Sequence, residues 1–475
     1  MRGVSAMNYR EEKDALGKRK VPADAYYGIQ TIRAMENFQI TGISIAHFTH
    51  LIQAIACVKK AAAMANMELD LLPEAIGTAI IRASEEVRDG RLNEHFTVDV
   101  IQGGAGTSVN MNANEVIANR ALEIMGYGRG RYEYCHPNNH VNLSQSTNDV
   151  YPTALRIAAI WSGYDLHKEL RRLTGAFLAK GEEFGNVIKM GRTQLQDAVP
   201  MTLGQEFTAF GVTIGEDEQR LTEALTLLLE INMGATAIGT GINTLPEYAA
   251  IVSEKLRDVT GLPLRQSANL IEATADTGAY VQLSGILKRI SVKLSKICND
   301  LRLLASGPYT GFREINLPPV QPGSSIMPGK VNPVIPEMLN QVCFQVIGND
   351  LTISFAAEGG QLQLNVFEPI IAFNLFQSME ILLNGCYIFN QKCLRGITAN
   401  AEHCAQAVRE SPGLVTALVP YVGYDHATEL AIRALAEKRS IYELVLEKGL
   451  LTEKELEEIL DPRTMTAPRK GKPRR

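Results

Sequence analysis

Residues 280–304 read YVQLSGILKRISVKLSKICNDLRLL, and their apolar side chains recur in alternating steps of four and three. The repeating positions are Leu283, Leu287, Ile290, Leu294, Ile297, Leu301 and Leu304. This heptad spacing predicts a long helix whose apolar stripe packs against neighbouring helices at a shallow angle. Because stripes this regular commonly join subunits, we expect residues such as Leu294 to lie between copies of the chain.

Four further segments have helical periodicity over a comparable length, with Gly- and Pro-containing breaks between them. They cover residues 153–184, 203–233, 334–357 and 366–394 approximately. No run of alternating β-branched residues separates these segments, which disfavours a doubly wound α/β sheet. The sequence therefore predicts an all-α fold built around a central bundle of long helices.

Three domains are expected from the distribution of helix lengths. Residues 1–142 have shorter helical segments and form an N-terminal helical domain, and residues 143–398 form the long-helix bundle. Residues 399–475 form a small C-terminal helical domain that ends in a basic tail. In this last domain, Thr452-Glu-Lys-Glu455 has the order of a capping box and predicts the start of a short helix.

Composition places the chain among ordinary globular proteins: 475 residues, 45% hydrophobic and 21% charged, with a formal net charge of −5. Proteins that bind nucleic acids or anionic membrane surfaces are typically basic, so this small negative charge favours neither class. We interpret the basic tail as solvated. Without a signal-like or membrane-length apolar segment, a cytoplasmic location is expected.

The cysteines and histidines predict no metal site. Seven cysteines form an odd number without a C-x-x-C pair, so we expect small core residues rather than disulfides or zinc ligands. His136 and His140 have a spacing that resembles a metal pair, but no third ligand is evident, and we interpret the spacing as coincidence.

A polar loop, Gly323-Ser-Ser-Ile-Met-Pro-Gly-Lys-Val-Asn-Pro333, precedes one of the long helices. It combines two hydroxyls, a cation and an amide between glycines, while its prolines restrict φ. The loop is either an ordinary solvated turn or a mobile segment that closes over an anion.

Three other polar segments make the second interpretation stronger. Gly103-Gly-Ala-Gly-Thr-Ser-Val-Asn110 leads into a helix, where free amides and the helix dipole attract anions. It lacks the lysine of a nucleotide P-loop, so a carboxylate is the better ligand. Ser144–Asp149, SQSTND, caps a helix or binds a ligand, and residues 191–200 form a polar turn between two bundle helices. Together these donors suit a small dicarboxylate.

The four segments resemble, in order, the active-site segments of the aspartase/fumarase superfamily. The resemblance runs from Tyr26-Tyr27-Gly28 to Ser411-Pro412-Gly413, almost the whole chain. Within the superfamily the chain is most similar to the aspartate ammonia-lyases, because it has Thr147 where fumarases usually have a second serine. The segments Val334–Glu337 and 360–369 also resemble those of the aspartate ammonia-lyases.

This resemblance implies reversible elimination of ammonia from L-aspartate to give fumarate, through removal of the Cβ proton and an aci-carboxylate intermediate. One alternative is a class II fumarate hydratase, which interconverts fumarate and L-malate. A more remote alternative is a non-catalytic helical scaffold that retains the fold.

The resemblance also implies a role for each polar residue. Ser324 would be the general base, and Glu337 would support the site. The residues expected to hold the β-carboxylate are Thr107, Ser146, Thr147 and Ser325. Those expected to hold the α-carboxylate are Lys330 and Asn332. The amino group would contact Asn148 and Thr193, and also Gln194, which stands where many relatives have a histidine.

No cofactor is expected to be required, although some relatives respond to divalent cations such as Mg²⁺. The resemblance further implies a homotetramer in which each active site is assembled from three chains. The expected ligands are therefore small molecules: L-aspartate, fumarate and ammonia.

Overall fold

The computed structural model describes residues 8–468 and is predominantly helical, which confirms the all-α prediction. The basic residues from Arg469 onward lie outside the described residues. The helices are α1 (Ile29–Asn37), α2 (Thr49–Glu68), α3 (Glu74–Arg88), α4 (Thr107–Ile124), α5 (Thr147–Glu183), α6 (Leu203–Leu227), α7 (Tyr248–Thr260), α8 (Leu270–Ala275), α9 (Gly278–Leu304), α10 (Val334–Glu358), α11 (Glu368–Lys392), α12 (Ala401–Glu410), α13 (Val415–Val422), α14 (Tyr424–Glu437), α15 (Ile441–Glu447), α16 (Glu453–Ile459) and α17 (Pro462–Met465).

Short strands form four two-stranded pairs within the described residues. The strands are β1 (Tyr9–Asp14), β2 (Gly17–Pro22), β3 (Ile188–Thr193), β4 (Gln196–Thr202), β5 (Glu230–Ile231), β6 (Arg265–Gln266), β7 (Ile315–Asn316) and β8 (Thr398–Ala399). β1 pairs with β2, β3 with β4 and β7 with β8 in antiparallel fashion, whereas β5 and β6 are parallel. The polar segment at residues 191–200 therefore lies in a β-hairpin, and not in a simple turn between helices.

The five predicted long helices are all present, with differences at two ends. α6 ends at Leu227, earlier than expected, because the chain enters β5 at Glu230. α5 starts before Pro152, although proline lacks the N–H that would bond to the Asn148 carbonyl. The Asn232 side-chain amide donates to that carbonyl instead, at 2.9 Å, so the helix begins a turn and a half earlier than its proline suggests.

The heptad stripe of α9 is buried within its own chain. Leu294 is only 1% exposed, so the expectation that it lies between subunits is wrong. The apolar face of α9 is therefore covered within the chain itself. On α10, by contrast, Phe344, Leu351 and Phe355 are 59%, 58% and 67% exposed and recur with heptad-like spacing.

The chain divides into two compact units, each made of several segments. The first contains residues 1–167, 219–289 and 345–381, and the second contains the remaining residues. Each of the five long helices has residues in both units. The three-domain division expected from sequence stays a prediction.

The second unit includes the C-terminal helices. Leu418, Leu430, Leu444 and Leu456 form the centre of a separate apolar cluster there. The predicted capping box is confirmed, since the Thr452 hydroxyl accepts from the Glu455 amide while the Glu455 carboxylate accepts from the Thr452 amide.

All seven cysteines are buried and unbridged, as the sequence indicated. None of the helices between residues 8 and 468 combines the length and apolar character that a membrane span requires.

Candidate functional site

The glycine-rich segment turns sharply into the start of α4. Gly104, Ala105 and Gly106 have φ values of 92°, 53° and 87°, and the helix begins at the next residue, Thr107. The Thr107 hydroxyl donates to the Gly104 carbonyl at 2.7 Å, and its side chain is exposed. A Cβ at position 106 would lie 2.4 Å from the ring of Tyr151, so only glycine fits there.

The SQSTND segment forms the start of α5. The Ser146 hydroxyl accepts from the Asn148 amide at 3.2 Å, and the Ser146 amide donates to the Asp149 carboxylate at 2.9 Å. Ser146 therefore caps the helix, which places Thr147 and Asn148 in its first turn. Both of these side chains are half-buried.

Two further contacts position this first turn. The Thr147 hydroxyl accepts from the Asn110 amide of α4 at 3.1 Å, so the starts of α4 and α5 are joined directly. The Asn148 amide nitrogen donates to the Ala237 carbonyl at 2.7 Å. That contact uses one of the two N–H groups of the Asn148 side chain, and its Oδ1 atom can accept a hydrogen bond from a ligand.

The Asp149 carboxylate holds this turn in place, a role that the sequence had not indicated. It is fully buried and accepts backbone N–H groups from Ser146, Gly234 and Thr236 at 2.9–3.1 Å. Burial raises the pKa of Asp149 to about 6, although these amide hydrogen bonds oppose the rise. Its position directly after Ser-Thr-Asn was the only sequence signal, and a helix-start aspartate is too common to single out.

Thr193 and Gln194 lie at the tip of the β3–β4 hairpin. Thr193 pairs with Gln196, and the two turn residues, Gln194 and Leu195, both have positive φ, 54° and 63°. Such a turn suits the right-handed twist of the strands but is normally built from Asn or Gly. The side chains of Thr193 and Gln194 are exposed.

A buried ion-pair cluster supports the hairpin. Lys189 is 2% exposed and contacts the carboxylates of Glu206 at 2.6 Å and Glu314 at 2.7 Å. Arg192, which directly precedes Thr193, contacts the other oxygen of Glu314 at 2.5 Å. These charges compensate one another in a site from which water is largely excluded, so the hairpin is held at its base.

The serine loop, residues 323–332, closes on itself at its base. The Gly323 amide donates to the Lys330 carbonyl at 2.7 Å, and the Asn332 side-chain amide donates to the Gly323 carbonyl at 2.6 Å. Within the loop, the Ser324 hydroxyl oxygen accepts from the amides of Ile326 and Met327 at 3.1 and 3.0 Å. Ser325 and Lys330 are exposed.

The predicted site residues therefore fall into two sets. Those in the first unit, joined by the Asn110–Thr147 hydrogen bond, are Thr107, Ser146, Thr147 and Asn148. Those in the second unit are Thr193, Gln194, Ser324, Ser325, Lys330, Asn332 and Glu337. The first set offers neutral hydroxyls and helix amides, and the second set offers a cation; each kind of group can bind a carboxylate.

The two histidines with metal-like spacing have structural roles. The Nδ1 atom of His136 accepts from the amides of Asn138 and Asn139, and the Nδ1 atom of His140 accepts from the His136 amide. No group of three or more His, Cys, Asp or Glu side chains suited to a metal ion occurs in the described part of the chain.

Comparison with known proteins gives two family matches. The family model described as "Lyase" matches residues 17–348, and the model described as "Fumarase C C-terminus" matches residues 414–467. The chain is 59% identical over 466 residues to "Aspartate ammonia-lyase" from Pseudomonas canavaninivorans, which covers 98% of both chains.

Solved structures of the same fold are also similar. A structure described as "fumarate lyase:delta crystallin" from Brucella melitensis, bound to cobalt, matches with a TM-score of 0.95 and 56% identity, covering 97% of this chain and 100% of that chain. A class II fumarase from Schistosoma mansoni matches with a TM-score of 0.92 but only 36% identity, with the same coverage.

We expect Gly106→Ala to destabilise the protein, because alanine is strained at a φ of 87° and its methyl group would overlap Tyr151. The cost should exceed about 1 kcal/mol, measured as a lower thermal unfolding midpoint. Gly128→Ala is the matched control, since a Cβ there has no atom within 4 Å. Equal midpoints for both variants would contradict this account of the turn.

Proposed function

Because this chain belongs to the lyase family and aligns along nearly its whole length with aspartate ammonia-lyases, we propose that it catalyses the reversible elimination of ammonia from L-aspartate to give fumarate. The observation that carries the proposal is the extent of that similarity. The intact polar segments on the start of α4, the start of α5, the β3–β4 hairpin and the serine loop support it. The protein is accordingly a carbon–nitrogen lyase that acts on a small molecule.

Ser324 is the proposed general base. A serine hydroxyl is a very weak acid, so its alkoxide must be stabilised before it can remove a proton from Cβ. The amides of Ile326 and Met327 already donate to its oxygen, and hydrogen bonds to a charged form favour that form. Closure of the loop over the substrate would strengthen both bonds by excluding water.

Loss of the Cβ proton places a second negative charge on the β-carboxylate. The proposed donors to this aci-carboxylate are Thr107, Ser146, Thr147 and Ser325. Thr107 and Thr147 are the first residues of α4 and α5, where the positive ends of the helix dipoles favour an anion. Removing one preorganised donor from such a site typically costs about 10²–10³ in rate.

The remaining groups would orient the substrate. Lys330 and Asn332 would bind the α-carboxylate, and Glu337, in the first turn of α10, would support the loop. The ammonium group of aspartate donates hydrogen bonds, so it requires acceptors. Asn148, Thr193 and Gln194 supply neutral oxygens. Because the amino group is already protonated, it can leave as neutral ammonia without a proton from an acid.

We also propose a cytoplasmic homotetramer that requires no cofactor, with each site assembled from three chains. The exposed apolar residues Phe344, Leu351 and Phe355 on α10 support the tetramer, because a stripe of this kind is costly when it faces water. Mg²⁺ would act as an activator at most.

The first experiment follows fumarate by ultraviolet absorbance after the protein is mixed separately with L-aspartate and L-malate. We expect absorbance to rise with aspartate alone. A rise with malate alone would identify a fumarate hydratase, and no rise with either substrate would favour the scaffold alternative.

Replacing the base tests its assignment. Ser324→Ala should lower kcat for aspartate by at least about 10²-fold, because general-base catalysis contributes about 10²–10⁴. Subunit assembly should be unchanged by size-exclusion chromatography. Val320→Ala, an exposed position just before the loop, serves as the control and should keep normal turnover. Substantial turnover by Ser324→Ala would assign the proton transfer to another group.

The proposed subunit interface can be tested on α10. Phe355→Asp should shift the protein from a tetramer to smaller species in light scattering, because a charge would be buried at the interface. Leu435→Asp, at a comparably exposed apolar position on α14, should leave the assembly intact. A Phe355→Asp protein that remains tetrameric would exclude this face of α10.

A further inference from the structure

A buried lysine lies within the polar network that carries the SQSTND segment. Lys59 is on α2 and is fully inaccessible to solvent. Its ammonium group donates to the side-chain oxygens of Asn142 and Gln145, each at 2.9 Å. The sequence around Lys59 gives no sign of this role, because the residue lies in an Ala-rich helical run next to a second lysine.

Lys59 is connected to the proposed carboxylate donors in two ways, through hydrogen bonds to Thr147 and through Gln145 to the adjacent Ser146. Asn142 Oδ1 also accepts from Asn110 Nδ2 at 3.1 Å, and the same Asn110 nitrogen donates to the Thr147 hydroxyl. On the other side, Gln145 directly precedes Ser146. Gln145 Nε2 donates to two carbonyls of its own loop, those of Val141 and Leu143, which fixes the loop conformation.

The charge of Lys59 is not needed to satisfy this network. Its hydrogen-bond partners are amide oxygens, which a neutral donor would satisfy equally well. Burying an ammonium group is costly, and burial accordingly lowers the pKa of Lys59 to about 7. The charged group that opposes this shift is Asp149, which three backbone amides already bind and which Tyr248 of α7 also faces.

We propose that Lys59 is a positioning residue for aspartate deamination. It holds Asn142 and Gln145 so that Ser146 and Thr147 present their hydroxyls, and its charge stabilises the negative charge that develops in the transition state on the carboxylate that those hydroxyls bind. This inference rests on the proposed function, since the charge matters only when an aci-carboxylate forms there. A purely structural lysine would leave transition-state stabilisation unchanged.

The test compares Lys59→Met, whose unbranched side chain is one atom shorter and lacks both the charge and the hydrogen-bond donors, with Lys60→Met. Lys60 is adjacent on α2 and pairs with Glu85 at 2.6 Å. The measurements are kcat and KM for L-aspartate on folded, fully assembled protein, and the affinity for succinate by calorimetry. We expect Lys59→Met to lower kcat by about tenfold or more, with KM and succinate affinity changed by less than about threefold. Lys60→Met should stay within about twofold of wild type in all three values.

The outcomes separate the two proposals. A wild-type protein without activity on aspartate would reject the proposed function itself. An active wild type with an unchanged kcat in folded Lys59→Met would overturn the inference alone. Equal losses in kcat and succinate affinity would also overturn it, since they indicate a distorted binding site.

A second variant keeps the inference testable should Lys59→Met fail to fold. Asn110→Ser retains both hydrogen bonds of Lys59 but removes the connection to the Thr147 hydroxyl. It should lower kcat with little change in succinate affinity. A normal kcat in Asn110→Ser would show that the network does not act through Thr147.

Discussion

The buried beginning of α5 is the constraint on which the rest of the site depends. Backbone groups at a helix end must find partners when water is excluded, and here the partners come both from the segment itself and from Asn232, which is distant in sequence. Ser146 caps the first turn, and the Asp149 carboxylate accepts from the backbone amides of Ser146, Gly234 and Thr236. Asn232 binds the carbonyl that Pro152 leaves free. A helix of 37 residues is thereby anchored at one end by polar contacts, which leaves Thr147 and Asn148 in fixed positions.

The two sets of candidate residues differ in how firmly they are held. Thr107 and Thr147 stand on long helices. The Thr147 hydroxyl accepts from the buried Asn110 amide and the Thr107 hydroxyl donates to the Gly104 carbonyl, so their geometry is set before any ligand arrives. Ser324 and Lys330 stand on a loop whose hydrogen bonds are mostly to itself. Preorganised donors stabilise charge most effectively, whereas a base and a cation on a loop can close over a substrate and exclude water. Both properties are needed when a weakly acidic carbon is deprotonated.

Recognition of an amine over a hydroxyl would depend on very few atoms. The fold itself is shared with a fumarase, so the distinction must lie in side chains rather than architecture. Asn148 illustrates how the structure determines chemistry that its residue type leaves open. An asparagine can donate or accept, but the contact of its nitrogen with the Ala237 carbonyl leaves its oxygen for a donor such as ammonium. Sequence alone identifies the residue, and the contact fixes the orientation of its side-chain amide.

The local patterns were sufficient to predict the long helices, the capping box at Thr452 and the polar segments, because periodicity and capping depend on residues close in sequence. The start of α5, the β3–β4 hairpin and the environment of Leu294 were decided by tertiary structure. Asn232 is distant in sequence from Asn148, two non-glycine residues adopt positive φ at the hairpin tip, and the apolar stripe of α9 is covered by its own chain. Lys59 is the clearest case. Its sequence context is that of an ordinary helical lysine, and only the packing of α2 against the SQSTND segment buries its charge beside Asn142 and Gln145, because burial depends on contacts that no local pattern encodes.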